Sequence, residues 1–160
     1  MSIADRLLIT FVFITLLLVT APVFAQGAVA TGEGEMVYAN NCIACHQLEG
    51  QGIPTAFPPL AGHVPALVAA EGGREYLVKE VLYGLQGEIV IAGEVYNGIM
   101  PPWGQLTDQE IADVLNYVST AWGNEASLPE GFTAFTAEEV AAQRGLELTG
   151  EQVLETRPGL

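Results

Sequence analysis

The chain has 160 residues, half of them hydrophobic, and a net charge of −14 from 19 acidic and 5 basic side chains. That length fits one domain with a core. So acidic a surface repels phosphate backbones and argues against a nucleic-acid partner.

The first element in chain order is an export signal. Leu7 to Ala25 is a nearly continuous apolar run without an internal charge, behind a short lead in which Asp5 cancels Arg6. Val23-Phe24-Ala25 offers small residues at the −3 and −1 positions of a cleavage site. This layout predicts a secretory signal peptide over residues 1–25. The run is also long enough to span a bilayer, about 20 residues, so an uncleaved membrane tether through residues 7–25 is the alternative. Both readings place the rest in the periplasm or another extracytoplasmic space. The part beginning at Gln26 keeps the whole charge of −14, which favours solubility and could also steer the chain toward a basic patch on a partner.

A first helix is expected from about Gly34 to Cys42, with Val37, Tyr38 and Asn41 on its inner face and Met36 also in its core. It runs into Asn41-Cys42-Ile43-Ala44-Cys45-His46, which contains C-x-x-C-H, the signature of covalent haem c attachment. Two thiols one helical turn apart can reach the two vinyl groups of a porphyrin, and the next residue, His46, is then aimed at the iron. Three other readings compete. A thioredoxin-like site needs a βαβ context. Zinc needs four ligands, for which Cys42, Cys45, His46 and His63 are the available set. A plain disulfide leaves His46 without a role. One covalent haem through Cys42 and Cys45 accounts best for the motif and its place behind an export signal.

Gly50 to Gly62 reads as loop, stiffened by Pro54, Pro58 and Pro59. Iron-bound histidines donate their second ring N–H to a carbonyl or carboxylate, and this loop follows His46 closely enough to supply one. His63 reads as a loop or capping histidine ahead of a short helix that starts near Pro65 and stops at Gly72-Gly73. A third helix, Arg74 to Tyr83, carries Leu77, Val78, Val81 and Leu82 on its buried stripe and ends at Gly84. Glu88–Ile91 and Glu94–Tyr96 around Ala92-Gly93 predict a small β-hairpin.

Met100 lies in Tyr96-Asn97-Gly98-Ile99-Met100-Pro101-Pro102-Trp103, read here as a Gly/Pro-bounded loop. A loop held by two prolines can present a thioether at a fixed height over a flat cofactor, so His46 and Met100 are the expected iron ligands. Thr107-Asp108-Gln109-Glu110 is a capping box. It opens a fourth helix with Ile111, Val114, Leu115 and Val118 on one face, ending near Trp122-Gly123. Beyond Glu125, Thr136-x-x-Glu139 and Thr149-x-x-Gln152 are two further capping boxes and predict two short helices, anchored by Phe132 and Phe135. The competing reading of this acidic segment is a disordered solvating tail.

Gly34, Tyr38, Cys42-x-x-Cys45-His46, Pro58-Pro59-Leu60, Met100-Pro101-Pro102-Trp103 and Tyr117 resemble class I cytochromes c in order and spacing. The resemblance implies an all-α cytochrome c fold with its first and last core helices crossed. It implies a Pro58 carbonyl that orients His46, Leu60 packed on the haem, and Tyr38 paired with Tyr117 at the crossing. Gly50–Pro54, Ala56–Val64, Glu71–Leu77, Leu82–Gly87 and Phe135–Val140 are similar to the soluble cytochrome c of Thermus-type bacteria that feeds a ba-type terminal oxidase. That closer resemblance implies a C-terminal extension wrapping the haem domain and docking through the exposed haem edge. The chain departs from it in an acidic tail and in Pro101-Pro102-Trp103.

The expected organisation is a leader (1–25), a haem domain (26–124) and an extension (125–160). The expected role is a monomeric single-electron carrier in a respiratory chain rather than an enzyme. Its donor would be a bc-type complex or another redox protein, and its acceptor a terminal oxidase. Ile43, Ala44, Phe57, Pro101 and Pro102 form the candidate contact patch. The alternative is a haem subunit of a larger periplasmic oxidoreductase. A haem enzyme or gas sensor would need a vacant iron site, which the pairing of His46 with Met100 fills.

Overall fold

The structure is a computed structural model that describes residues 31–159. The apolar run Leu7–Ala25 and the predicted cleavage or tether lie outside the described residues. Among the described residues no helix is long and apolar enough to cross a membrane.

Helix α1 (Thr31–Asn41) crosses α5 (Asp108–Thr120). Gly34 makes the crossing close: a Cβ there would run into the Asp113 carbonyl and the Tyr117 side chain. Val37 and Tyr38 are buried against α5, whereas Met36 is 60% exposed. The expectation that Met36 belongs to the core is therefore corrected. At about 100° per residue, one step back from Val37 turns the side chain off the face that Gly34, Val37, Tyr38 and Asn41 share.

A single turn, α2 (Ile43–His46), continues from α1, and a loop leads to α3 (Val64–Ala69) and α4 (Gly73–Tyr83). The double glycine opens α4 instead of capping α3. Gly72 is the left-handed residue ahead of α4, with φ 73°. Gly73 N–H bonds Ala70 O at 3.0 Å, and a Cβ on Gly73 would strike the Leu67 carbonyl. The two helices turn on each other too tightly for a side chain.

The hairpin is longer than the alternation suggested. Strands β1 (Leu85–Ile91) and β2 (Glu94–Met100) pair antiparallel, with Leu85 opposite Met100 and Ile91 opposite Glu94. Leu85, Ile89 and Ile91 face inward. Helix α5 is capped by Thr107 with the predicted capping box in place, and ends at Thr120. A 3₁₀ segment (Ala121–Ser127) follows, broken by left-handed Trp122 and Gly123.

The C-terminal segment folds as α6 (Ala137–Arg144) and α7 (Gly150–Glu155), both with complete capping boxes. It is not a disordered tail, because its apolar residues join the central core: Phe135, Val140 and Val153 are buried in it. Polar anchors fix the register. Asn116 donates to Phe135 O at 3.0 Å and accepts from Phe135 N–H at 2.7 Å. The Arg74 guanidinium lies 4.0 Å from the Phe135 ring centroid and is paired with Glu139 at 2.9 Å. Arg144 donates to Asp108 at 2.6 Å and to the carbonyls of Gly104 and Leu106. Phe135→Ala should cost about 3–5 kcal/mol, read as a lower midpoint in denaturant unfolding of the loaded protein. An unchanged midpoint would mean that the tail is an appendage.

Candidate haem site

An open cleft lies between α2, the loop after it, α3, α4, the hairpin and α5. Its walls are apolar side chains such as Leu67, Leu77, Leu85, Ile89, Leu115 and Val118. Cys42, Cys45, His46, Pro58, Leu60 and Met100 all line it, so the fold brings every predicted site residue to one place.

The local helix accounts for the first three. Cys42 N–H bonds Tyr38 O at 2.8 Å and His46 N–H bonds Cys42 O at 3.0 Å. The two cysteines therefore stand one turn apart, half-buried and free of any disulfide. Burial, with Cys45 beside it, pushes the Cys42 thiol up to about 11, so it stays a neutral thiol at ordinary pH.

His46 is buried. Its Nδ1 donates to Pro58 O at 2.9 Å; since a carbonyl can only accept, this fixes the tautomer with the lone pair on Nε2. Burial lowers the imidazole's basicity, and the bond to Pro58 opposes this more weakly. The result is a neutral ring ready to act as a metal ligand.

The loop that supplies the Pro58 carbonyl is pinned at several points. Ile53 and Phe57 exchange bonds at 2.8 Å. Gly52 N–H bonds His46 O at 3.0 Å, and a Cβ on Gly52 would collide with the Phe57 and Pro58 backbone.

Met100 is half-buried against the core. It is the last residue of β2, not a loop residue as the flanking Gly and Pro suggested. Its backbone is paired through Leu85, and the first prolines follow immediately. Gly84, at φ 77°, lets the turn from α4 approach: a Cβ there would meet the Met100 carbonyl. Trp103 N–H bonds Val81 O at 2.9 Å and holds the segment after it.

His63 stands directly before α3, as the sequence suggested, but its side chain caps nothing. Its Nε2 lies 3.2 Å from Arg157 Nη2. Burial and the Arg157 charge hold the ring down at about 4.

Three groups that sequence reasoning missed support the site. Trp122 completes an aromatic triad with Tyr38 and Tyr117, with centroids 5.1 and 5.5 Å away. Its Nε1 donates to Leu48 O at 3.1 Å, and its ring fills the space where a Cβ on Gly50 would stand. Asn124 accepts from Gly62 N–H at 2.7 Å and donates to Leu60 O and Val118 O. Arg157 reaches the cleft from the far end of the chain. All three act over long sequence separations, and no local pattern marks them.

The cytochrome c family matches residues 32–122. The chain belongs to the cytochrome c family. It is 55% identical over 133 residues to a cytochrome c-552 of Thermus thermophilus, covering 83% of this chain and 88% of that one. A second Thermus thermophilus cytochrome c-552 is 56% identical over 128 residues, 80% of this chain and 96% of the relative. The cytochrome c subunit of a quinone alcohol dehydrogenase from Gluconacetobacter polyoxogenes is 32% identical over 120 residues, 67% of this chain but 22% of that subunit.

Family and geometry agree. The fold is that of a class I cytochrome c with a small hairpin, the cofactor is one haem c bound through Cys42 and Cys45, and the chain is an electron carrier that works with redox partner proteins. The residues present fit the group: a flat apolar cofactor suits the apolar walls, and the two free thiols sit at one edge. Replacing both Cys42 and Cys45 with Ala should abolish covalent haem, leaving a polypeptide without adduct mass after acid extraction. Either single replacement should keep one thioether. A covalent adduct in the double variant would contradict attachment through these thiols.

Proposed function

We propose that His46 and Met100 are the iron ligands and that the chain carries single electrons to a terminal cytochrome c oxidase. The observation that carries this reading is that His46, with its free Nε2, and Met100 come from separate elements and line the same cleft as the two thiols. The haem, when bound, supplies a one-electron iron couple.

The protein's residues set the conditions for that couple. Pro58 O holds the His46 ring in its neutral tautomer. The Met100 thioether is a soft, neutral donor that favours the reduced iron and raises the potential. With both positions filled there is no room for a substrate, which separates a carrier from an oxygen-activating enzyme. Leu60 and the apolar walls exclude water, which further favours the less charged state.

The proposed organisation is an exported chain with a leader over 1–25, cleaved or kept as a tether, a haem domain over 26–124 and an extension over 125–160. It would act as an extracytoplasmic monomer, reduced by a bc-type complex or another donor. Ala44, Pro101 and Pro102 are exposed near the cleft while Ile43 and Phe57 are half-buried. This small apolar patch suits brief contact and quick release. A second reading, a haem subunit of a larger periplasmic oxidoreductase, has support in the similarity to the quinone alcohol dehydrogenase subunit. Copurification with a dehydrogenase would favour it; a monomer rapidly oxidised by a terminal oxidase would favour the first.

Met100→Ala should lower the midpoint potential by on the order of 0.1 V, within the roughly 0.8 V that axial ligands span, and remove the methionine-to-iron charge-transfer band of the oxidised protein. An unchanged potential would rule out ligation by Met100. If the charge of −14 steers docking, the second-order rate of electron delivery to the oxidase should fall steeply as salt rises. A flat salt profile would assign docking to the apolar patch alone.

A further inference from the structure

One corner of the cleft is polar, and the two thioether bonds do not use it. Glu80 and Tyr76 of α4 meet Arg157, just past α7, and His63, just before α3; all four line the cleft. The Tyr76 hydroxyl donates to Glu80 Oε1 at a long 3.4 Å. Arg157 approaches His63 with Nη2 at 3.2 Å and donates to Pro158 O through Nη1 at 3.4 Å. The Arg157 charge acts on both Tyr76 and Glu80. A carboxyl group thus stands inside the haem cleft with one weak hydrogen bond, in the field of a single guanidinium that the haem's own carboxylates would also engage. Electron carriage alone asks for no acid there, and an apolar residue would pack better against the neighbouring Leu77 and Val81.

We propose that Glu80 is a redox-linked proton site, which takes up a proton when the haem iron is reduced and releases it when the iron is oxidised. The physical cause is the change of one positive charge at the iron. In a dry cleft a carboxylate feels that charge far more than it would in water, so oxidised iron favours the ionised acid and reduced iron the neutral one. The balance is one electron from the donor protein and one proton from solvent onto the Glu80 carboxylate; both leave together when the acceptor draws the electron.

Burial pushes the Glu80 carboxyl up to about 7, with Arg157 and the Tyr76 hydroxyl opposing the rise. The groups that face it are accounted for. Tyr76 is on its own helix, and burial raises that phenol so that it stays neutral. Arg157 is the cation. His63, held at about 4, stays uncharged through the neutral range. On the helices packed against α4, Glu139 of α6 is occupied by Arg74, Asp113 of α5 accepts from Gln109, and Glu151 of α7 accepts from Gln86. The rival source of a redox-linked proton is the haem's own carboxylates.

The inference rests on the electron-carrier reading, so the haem spectrum and a reversible potential are recorded first; their absence would count against that reading, not against Glu80. The midpoint potential is then followed across pH by spectroelectrochemistry. The unaltered protein should show a potential that falls as pH rises through neutrality and levels off on both sides. The slope is bounded by a tenfold change in the redox equilibrium per pH unit, about 59 mV for a one-electron couple. Glu80→Gln should flatten that region with the haem spectrum intact, and Glu80→Val, which suits the apolar wall, serves if the amide disturbs folding. A slope that survives in these variants would assign the proton to a haem carboxylate, and a flat profile in the unaltered protein would remove the coupling; either overturns the proposal.

Discussion

The constraint on which the structure depends is that its core is incomplete without a cofactor. Leu67, Leu77, Leu85, Ile89, Leu115 and Val118 are buried residues that also line the cleft, so α3, α4, α5 and β1 each direct apolar surface into it. Apolar surface open to water is unfavourable by about 25 cal/mol per Å², and a flat apolar cofactor covers whatever the cleft walls leave open. Covalent attachment at Cys42 and Cys45 makes that completion permanent.

The other devices in the fold serve the rigidity of that cleft. The close crossing of α1 and α5 at Gly34 fixes the helix that carries the thiols. The Tyr38–Tyr117–Trp122 triad and Asn124 tie the crossing to the loop whose Pro58 carbonyl aligns His46. The extension does the same from outside. Arg74 and Arg144 hold it by ion pairs and carbonyl bonds, partly exposed and worth little individually, while buried Phe135, Val140 and Val153 supply most of its adhesion. In this way a segment rich in acidic residues stays folded and delivers Arg157 to the cleft.

Much of this is legible in the sequence because the signals are local. C-x-x-C-H, three capping boxes, the apolar stripe of Arg74–Tyr83 and the alternation at Glu88–Ile91 each depend on residues within one or two turns. Where the structure departs from the sequence reading, the cause is also specific. An apolar methionine near the motif suggests core, yet helical phase turns Met36 outward. Gly98 and Pro101 bracket Met100 like a loop residue, although strand pairing with Leu85 extends to it. Gly72-Gly73 starts a helix because Gly73 approaches Leu67 closely, which is a tertiary contact. Trp122, Asn124, Arg157 and Glu80 owe their roles to contacts across the fold, and no spacing rule reaches that far.

The central claim is that His46 and Met100 together close the iron. The most direct measurement is the proton NMR spectrum of the reduced, haem-loaded protein, since a methionine bound to the iron lies against the porphyrin face and feels its ring current. The expected spectrum has one methionine methyl, assigned to Met100, shifted far upfield, and the exposed Met36 methyl at its ordinary position. Both methyls at ordinary positions would contradict that claim.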